Sequence, residues 1–483
     1  MRASMNPAIE KAMQQVAAAT ARAAADPARP VCHFCPPAGW MNDPNGPIFQ
    51  DGWLHLFYQH NPYGDEWGHM HWGHARSRDL VHWEHLPIAL WPSLEAGEEH
   101  VFSGCARVNG QGETLLFYTS VKLGERESRL PNEQWAARAL DNELLEWEKH
   151  PANPILALAT HGGPPFRGEW RDPFIFAAAG RTFLVVGADY DETAVVALYE
   201  AEDTTLTRWR YCGPLFQSAQ PQTRFLECPN FVELPPAAGH PASPSGNWLL
   251  LTSPYRAIEY VSGAFDLETL TFAPHQRGVL DAGAGKECNF YASNLVFDGQ
   301  GRCLLLGWIR GFASGRGWNG CLALPRLLSL GSDGHPRQLP APEVQALRGR
   351  PYACPARTIE PNAVETVDLQ GESVEIDVTF VLDKAQAAGL RLHSLRESVE
   401  VRYDGTTLHV AGSEIALASN PDHSIRLHLY IDRSVLELFV DDGRAAVTRL
   451  IEPLRPAKGV ELFAEGGPAQ MSTLAVWELR PIG

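Results

Sequence analysis

The first 28 residues lack the apolar core of roughly 7–15 residues that a secretory signal needs, and no run of about 20 apolar residues follows to cross a bilayer. A cytoplasmic protein without membrane attachment is therefore expected. Positive charge is scarce as well: 40 Lys and Arg stand against 57 Asp and Glu, a formal charge of −17. Such a surface repels nucleic acid and anionic lipid, so a neutral small ligand is the better partner. Cysteine is neither dense nor even in number. Nine scattered residues make no stapled framework, and reduced thiols are expected. Cys32-His33-Phe34-Cys35 has no second C-x-x-C to complete a zinc site, and His69, His71 and His74 have no carboxylate or thiol beside them, so no metal and no cofactor are predicted. After residue 30 helical periodicity is also missing.

What is present is mostly β-pattern. Residues 1–30 are the exception, with Ile9, Met13 and Val16 at helical spacing; they predict a short amphipathic extension packed on the main body or on a second subunit, which leaves a homo-oligomer open. Beyond them a repeat emerges. Asp79-Leu80-x-x-Trp83, Asn142…Leu145-x-Trp147, Asp203…Leu206-x-x-Trp209 and Asp266…Leu270-x-Phe272 place their aromatic residues 64, 62 and 63 residues apart. A second series agrees with it, in the apolar runs Trp53–His60, Thr114–Ser120, Thr182–Asp189, Asn247–Pro254 and Arg302–Arg310. Units of this size cannot bury both faces alone and stack radially, so an all-β fold with a five-bladed β-propeller over residues 31–345 is predicted. Prolines from Pro340 to Pro361 mark a linker, placed at 346–362, and the alternating strands of residues 363–483, with turns at Asp404-Gly405 and Asp442-Gly443, predict a β-sandwich.

Before each apolar run lies another strand, and these five would line the channel of the propeller. Their N-terminal ends carry Asn42 and Asp43, Phe102 and Ser103, Arg171 and Asp172, Glu227, and Asn289 and Tyr291. Three carboxylates thus converge on one mouth although 129 and 55 residues separate them in sequence. Cleaving a glycosidic bond takes one acid to protonate the leaving oxygen and one carboxylate to meet the cationic centre. Asp43 follows Asn42 and precedes a Pro-Asn-Gly turn, whose amides favour an ionised nucleophile. Asp172 follows Arg171, a cation expected to keep it charged and suited to binding. Glu227 has no neighbouring cation in sequence and is the assigned acid/base. Trp40, Trp67, Phe102 and Trp308 are candidate sugar platforms, with Gln59 and Ser103 as hydroxyl partners.

Three runs carry a resemblance to a known family: Trp40-Met41-Asn42-Asp43-Pro44-Asn45-Gly46, Trp170-Arg171-Asp172-Pro173 and Glu227-Cys228-Pro229-Asn230. With Phe102-Ser103-Gly104, Phe290-Tyr291-Ala292 and Asp432-Arg433-Ser434…Glu437-Leu438-Phe439-Val440, the chain resembles glycoside hydrolase family 32, the invertase, inulinase and levanase group, from His33 to its end. The resemblance implies a five-bladed propeller with a C-terminal sandwich that releases terminal β-D-fructofuranosyl units with retention and without cofactor. It makes Asp43 the nucleophile, Asp172 the transition-state stabiliser, Glu227 the acid/base, and Asn42 and Arg171 part of the fructose subsite. Asn289 departs from the family's Asp, and the 281–288 loop has no match, both expected near the leaving group. Sucrose is the expected substrate. An exo-acting fructan hydrolase, a fructosyltransferase and an inactive sugar-binding homologue are the alternatives.

Overall fold

The computed structural model describes residues 6–122, 132–166, 169–284, 287–361, 363–367, 371–394, 396, 398–454 and 459–482. It is nearly all β. One helix, α1 (Pro7–Ala24), opens the chain, with the Asn6 side chain accepting the Ala8 amide at its N-terminus and Ile9, Ala12, Val16 and Ala23 buried.

Five antiparallel sheets follow in chain order. Each begins with an inner strand: Gly39–Gln50, His100–Val108, Trp170–Ala178, Glu227–Glu233 and Phe290–Phe297. Each inner strand pairs with an apolar second strand, of which Thr114–Val121 is buried along its whole length. Every inner strand touches the next, and the fifth touches the first. The closure is tied by hydrogen bonding, because Trp318–Asn319, from the loop of the fifth sheet, pairs in parallel with Gly39–Trp40 of the first.

The repeated Asp-Leu-aromatic pattern has a local cause. Leu80, Leu144, Leu206 and Leu270 all adopt left-handed backbone, at φ 66°, 58°, 60° and 55°. Carboxylates of Asp79, Asp141, Asp203 and Asp266 accept the amides of the following turn, which offsets the cost of that conformation. The aromatic residue then stands at or next to the start of the sheet's outermost strand: Trp83–Leu90, Trp147–Lys149, Trp209–Gln217 and Thr271–Val279. In the second sheet the turn uses Asp141 and Leu144, one residue before the Asn142 and Leu145 that spacing alone selects. Leu144 is the buried one of the two leucines.

Two further sheets face each other over an apolar core that includes Val378, Leu390, Leu427 and Leu462. The expected linker at 346–362 is corrected here. Arg348–Cys354 and Arg357–Ile359 are strands paired with Ala469–Leu479, and Pro351 is tolerated because Arg348–Cys354 lies at the sheet's edge, where a missing amide donor costs little. Among the described residues no helix is long and apolar enough to cross a membrane.

Buried charge joins the two halves. Arg326, fully buried, donates to Glu437, Asp281, Gln338 and Thr448 and lies over the rings of Phe290 and Phe439. His33 sits between Asp432 at 2.9 Å and Glu437 at 3.0 Å. Asn289 also reaches this seam: it donates to the Arg310 carbonyl and accepts the Leu450 amide. Of the 281–288 loop, residues 285 and 286 lie outside the described residues, and Asp281 belongs to the Arg326 cluster.

Candidate active site

The five inner strands share a defect. Each has a register shift near its N-terminal end: between Met41 and Pro44, Phe102 and Gly104, Arg171 and Phe174, Glu227 and Asn230, and Tyr291 and Asn294. Such bulges turn side chains out of the pleat and towards the mouth of the ring. Asp43, Ser103 and Asp172 lie within them, and Arg171, Glu227 and Tyr291 stand immediately before theirs. Asp172 and Cys228 take φ of 66° and 47°, a strain of the kind that collects at functional sites. At Gly104 a Cβ would lie 1.9 Å from the Phe117 carbonyl oxygen, so the bulge that presents Ser103 requires glycine after it.

The side chains meet as the spacing predicted. Asp43 accepts from the Ser103 hydroxyl at 2.5 Å and from the Asn42 amide at 2.9 Å, while Asn42 accepts the Trp40 indole N–H at 2.7 Å. Asp172 accepts the Cys228 amide at 3.0 Å, and its own amide donates to Thr119 Oγ1. The Cys228 thiol lies 3.5 Å from Asp43 and 3.7 Å from Asp172, which places the two carboxylates on either side of one sulfur. Glu227 accepts Arg171 Nη2 at 2.6 Å on one oxygen, and the Tyr291 hydroxyl is 2.6 Å from the other.

The electrostatics differ from the sequence expectation in three respects. Arg171 is not the keeper of Asp172's charge: its contact with Asp172 is 3.8 Å, against 2.6 Å to Glu227, so Glu227 does have a cation beside it. Burial pushes Asp172 up to about 7, with Glu227 and Asp43 adding repulsion and Arg171 only partly offsetting them. Asp43 is likewise raised, first by burial and then by Glu227, despite the hydrogen bonds from Ser103 and Asn42. Adjacency in sequence misled because the Arg171 guanidinium reaches across to Glu227 on the adjoining inner strand.

Around the carboxylates, Trp40 packs edge-on against Trp308 at 5.7 Å and Trp308 stands against Tyr291 at 6.4 Å. Trp67 is half exposed and packs on His100 and Phe102, forming a second aromatic wall beside Ser103. Gln59 is buried opposite the first bulge, and its amide nitrogen is committed to the Val101 carbonyl, so it ties the first two sheets together. The alternating histidines fill space: His74 stacks on Phe57 at 4.2 Å and bonds His55.

Two participants escaped sequence reasoning. Tyr255, more than half exposed at φ 60°, accepts Arg171 Nη2 at 2.7 Å and donates its amide to the Tyr291 hydroxyl. It lies outside every repeat position, and nothing in its neighbourhood marks it. Cys228 was visible beside Glu227, but only the fold reveals its place between two aspartates.

A levanase of Bacillus subtilis (strain 168) is 30% identical over 94% of this chain and 71% of its own. A sucrose-6-phosphate hydrolase of Escherichia coli is 30% identical over 93% of this chain and 94% of its own. Among solved structures, a GH32 β-fructofuranosidase of Bombyx mori superposes with a TM-score of 0.81 at 27% identity, covering 98% of each chain, and a mutant of it has been solved in complex with sucrose. The model of the glycosyl hydrolases family 32 N-terminal domain matches residues 33–340 and that of the family 32 C-terminal domain residues 343–478. The sheets that gather Asp43, Asp172 and Glu227 thus fall within the first match and the facing pair of sheets within the second, and the chain belongs to glycosyl hydrolase family 32.

Proposed function

We propose that this protein is a retaining β-fructofuranosidase acting on sucrose. The five sheets are read as the blades of a propeller, with residues 31–345 as the catalytic domain, 363–483 as the sandwich and 1–30 as an extension; the ring of contacts between inner strands supports this reading. The observation that carries the function is the convergence of three carboxylates from three sheets around Cys228, Arg171 and Tyr291.

In the mechanism, Asp43 attacks C2 of the fructosyl unit, the bond from C2 to the bridging oxygen breaks, and Glu227 gives its proton to that oxygen. Water then attacks C2, Glu227 takes the water's proton, and the ester to Asp43 is cleaved. Arg171 and Tyr291 hold Glu227 in place. Asp172 receives fructosyl hydroxyls, whose donation favours its ionised form. Asp43 and Asp172 both hold protons more tightly than ordinary carboxylates, first because they are buried. The productive microstate has Asp43 ionised and the proton on Glu227. Trp40, Trp308, Trp67 and Phe102 supply the faces on which the two rings rest.

Hydrolysis of sucrose, raffinose, inulin, levan and sucrose 6-phosphate is the direct test. Sucrose is expected to give the highest kcat/KM, with glucose and fructose in equal amounts. A preference for inulin or levan would move the enzyme to the fructan hydrolases, and longer oligosaccharides as main product at high sucrose would make it a transferase. The names of the relatives keep sucrose 6-phosphate in the panel.

A second result checks the charge on the nucleophile. Ser103→Ala removes a charge-assisted hydrogen bond to Asp43, raising its pKa further. Activity needs Asp43 ionised and is lost as pH falls through that pKa. The acid limb of kcat/KM is therefore expected to move to higher pH by about 1 unit, the equivalent of one such bond. An unmoved limb would show that Asp43 is not the group that must ionise.

A further inference from the structure

We infer that α1, which precedes the residues the family model matches, is a positioning element for the sugar site, acting through the loop of residues 312–319. The helix grips that loop at three points. Arg22 Nη2 donates to the Gly315 carbonyl at 2.5 Å. Trp318 is fully buried among Val16, Ala23 and Ala38, and its indole N–H donates to Asp26 at 2.9 Å, just past the helix. Gly317, at φ 84°, passes so close that a Cβ there would stand 3.4 Å from the Ala23 amide.

From the loop the connection runs to the carboxylates. The Gly39 amide donates to the Gly317 carbonyl at 2.9 Å, and Trp318–Asn319 forms the parallel pair with Gly39–Trp40. A second loop braces the same point: the Trp40 amide donates to the Gly64 carbonyl, and Asp65 accepts the amides of Arg316 and Gly317. Trp40 is thus held by its backbone from both sides, and its indole orients Asn42, which donates to Asp43. Without the helix the 312–319 loop loses Arg22, Asp26 and the cover over Trp318 together, and the orientation of Trp40 and Asn42 is no longer fixed.

The inference rests on the fructosidase reading only for its assay. Arg22→Ala is expected to lower kcat for sucrose about 5–10-fold and to move the acid limb of the pH profile upward by several tenths of a unit, because Asn42 donates less often to Asp43. Arg22→Lys, which keeps a donor, should recover most of both, and Gln15→Ala on the exposed face should match the wild type. Asp26→Ala reads the same connection from the Trp318 side and serves should Arg22→Ala not fold. A loss of activity with an unmoved acid limb would make α1 a scaffold and overturn the inference, as would unchanged kinetics in both variants. Absence of any fructosidase activity in the wild type would instead overturn the functional reading.

Discussion

Asp43→Asn is expected to lower kcat for sucrose by on the order of 10⁴-fold or more, about 5 kcal/mol of transition-state stabilisation, while the circular dichroism spectrum stays unchanged. The amide is isosteric: its single oxygen can still accept from Asn42, and its NH2 can donate to the Ser103 hydroxyl, so the local packing survives. It has no charge to stabilise the cationic centre and cannot form the ester. Because the loss falls on chemistry rather than on binding, KM should change by less than about 10-fold. A decrease in kcat below about 10-fold would remove Asp43 as nucleophile and with it the retaining mechanism. Detection of fructose bound covalently to the wild type but not to the variant, by mass spectrometry of quenched enzyme, separates loss of the ester from loss of a general base.

Much of the arrangement around Asp43 is legible in the amino-acid sequence. The spacing of Trp83, Trp147, Trp209 and Phe272 reports a turn with an aspartate cap and a left-handed leucine, a local motif that sequence can carry. Because the motif recurs from sheet to sheet, the inner strands begin at the same end of the ring. That brings Asp43, Asp172 and Glu227 together. Properties set between sheets are the ones sequence hides. Arg171 adjoins Asp172 in the chain yet bonds Glu227, since the guanidinium reaches across to the next inner strand. Tyr255 enters from a loop with no repeat partner. The prolines after Pro340 read as a linker because the edge position that makes Pro351 harmless depends on pairing with Ala469–Leu479, more than 100 residues later. The bond of Asn289 to the Leu450 amide is hidden in the sequence for the same reason, since its partner lies 161 residues on.

That seam between the halves yields the second large effect. Arg326→Met is expected to destabilise the protein by about 3–5 kcal/mol, because it leaves the buried carboxylate of Asp281 without its cation and Glu437 with His33 alone. In a chain of this size, melting as one unit, the melting temperature should fall by roughly 3–5 °C. The pH dependence distinguishes this from a simple packing defect. Burial alone would lower the proton affinity of His33, but hydrogen bonds and charge from Asp432 and Glu437 overcome it and raise its pKa to about 10. Its unfolded value is near 6.5, so the stabilisation from His33 is fully present below that pH and is lost as pH rises through about 10. The melting temperature of the wild type is therefore expected to decline between pH 7 and 10. His33→Gln, which cannot gain the proton, should lower stability at pH 7 and flatten that decline. Asp432 and Glu437 are held below their usual values, so their share is lost only as pH falls through the acidic range. A His33→Gln protein with the wild-type slope from pH 7 to 10 would place the titrating group elsewhere and leave Arg326 to hold Asp281 and Glu437.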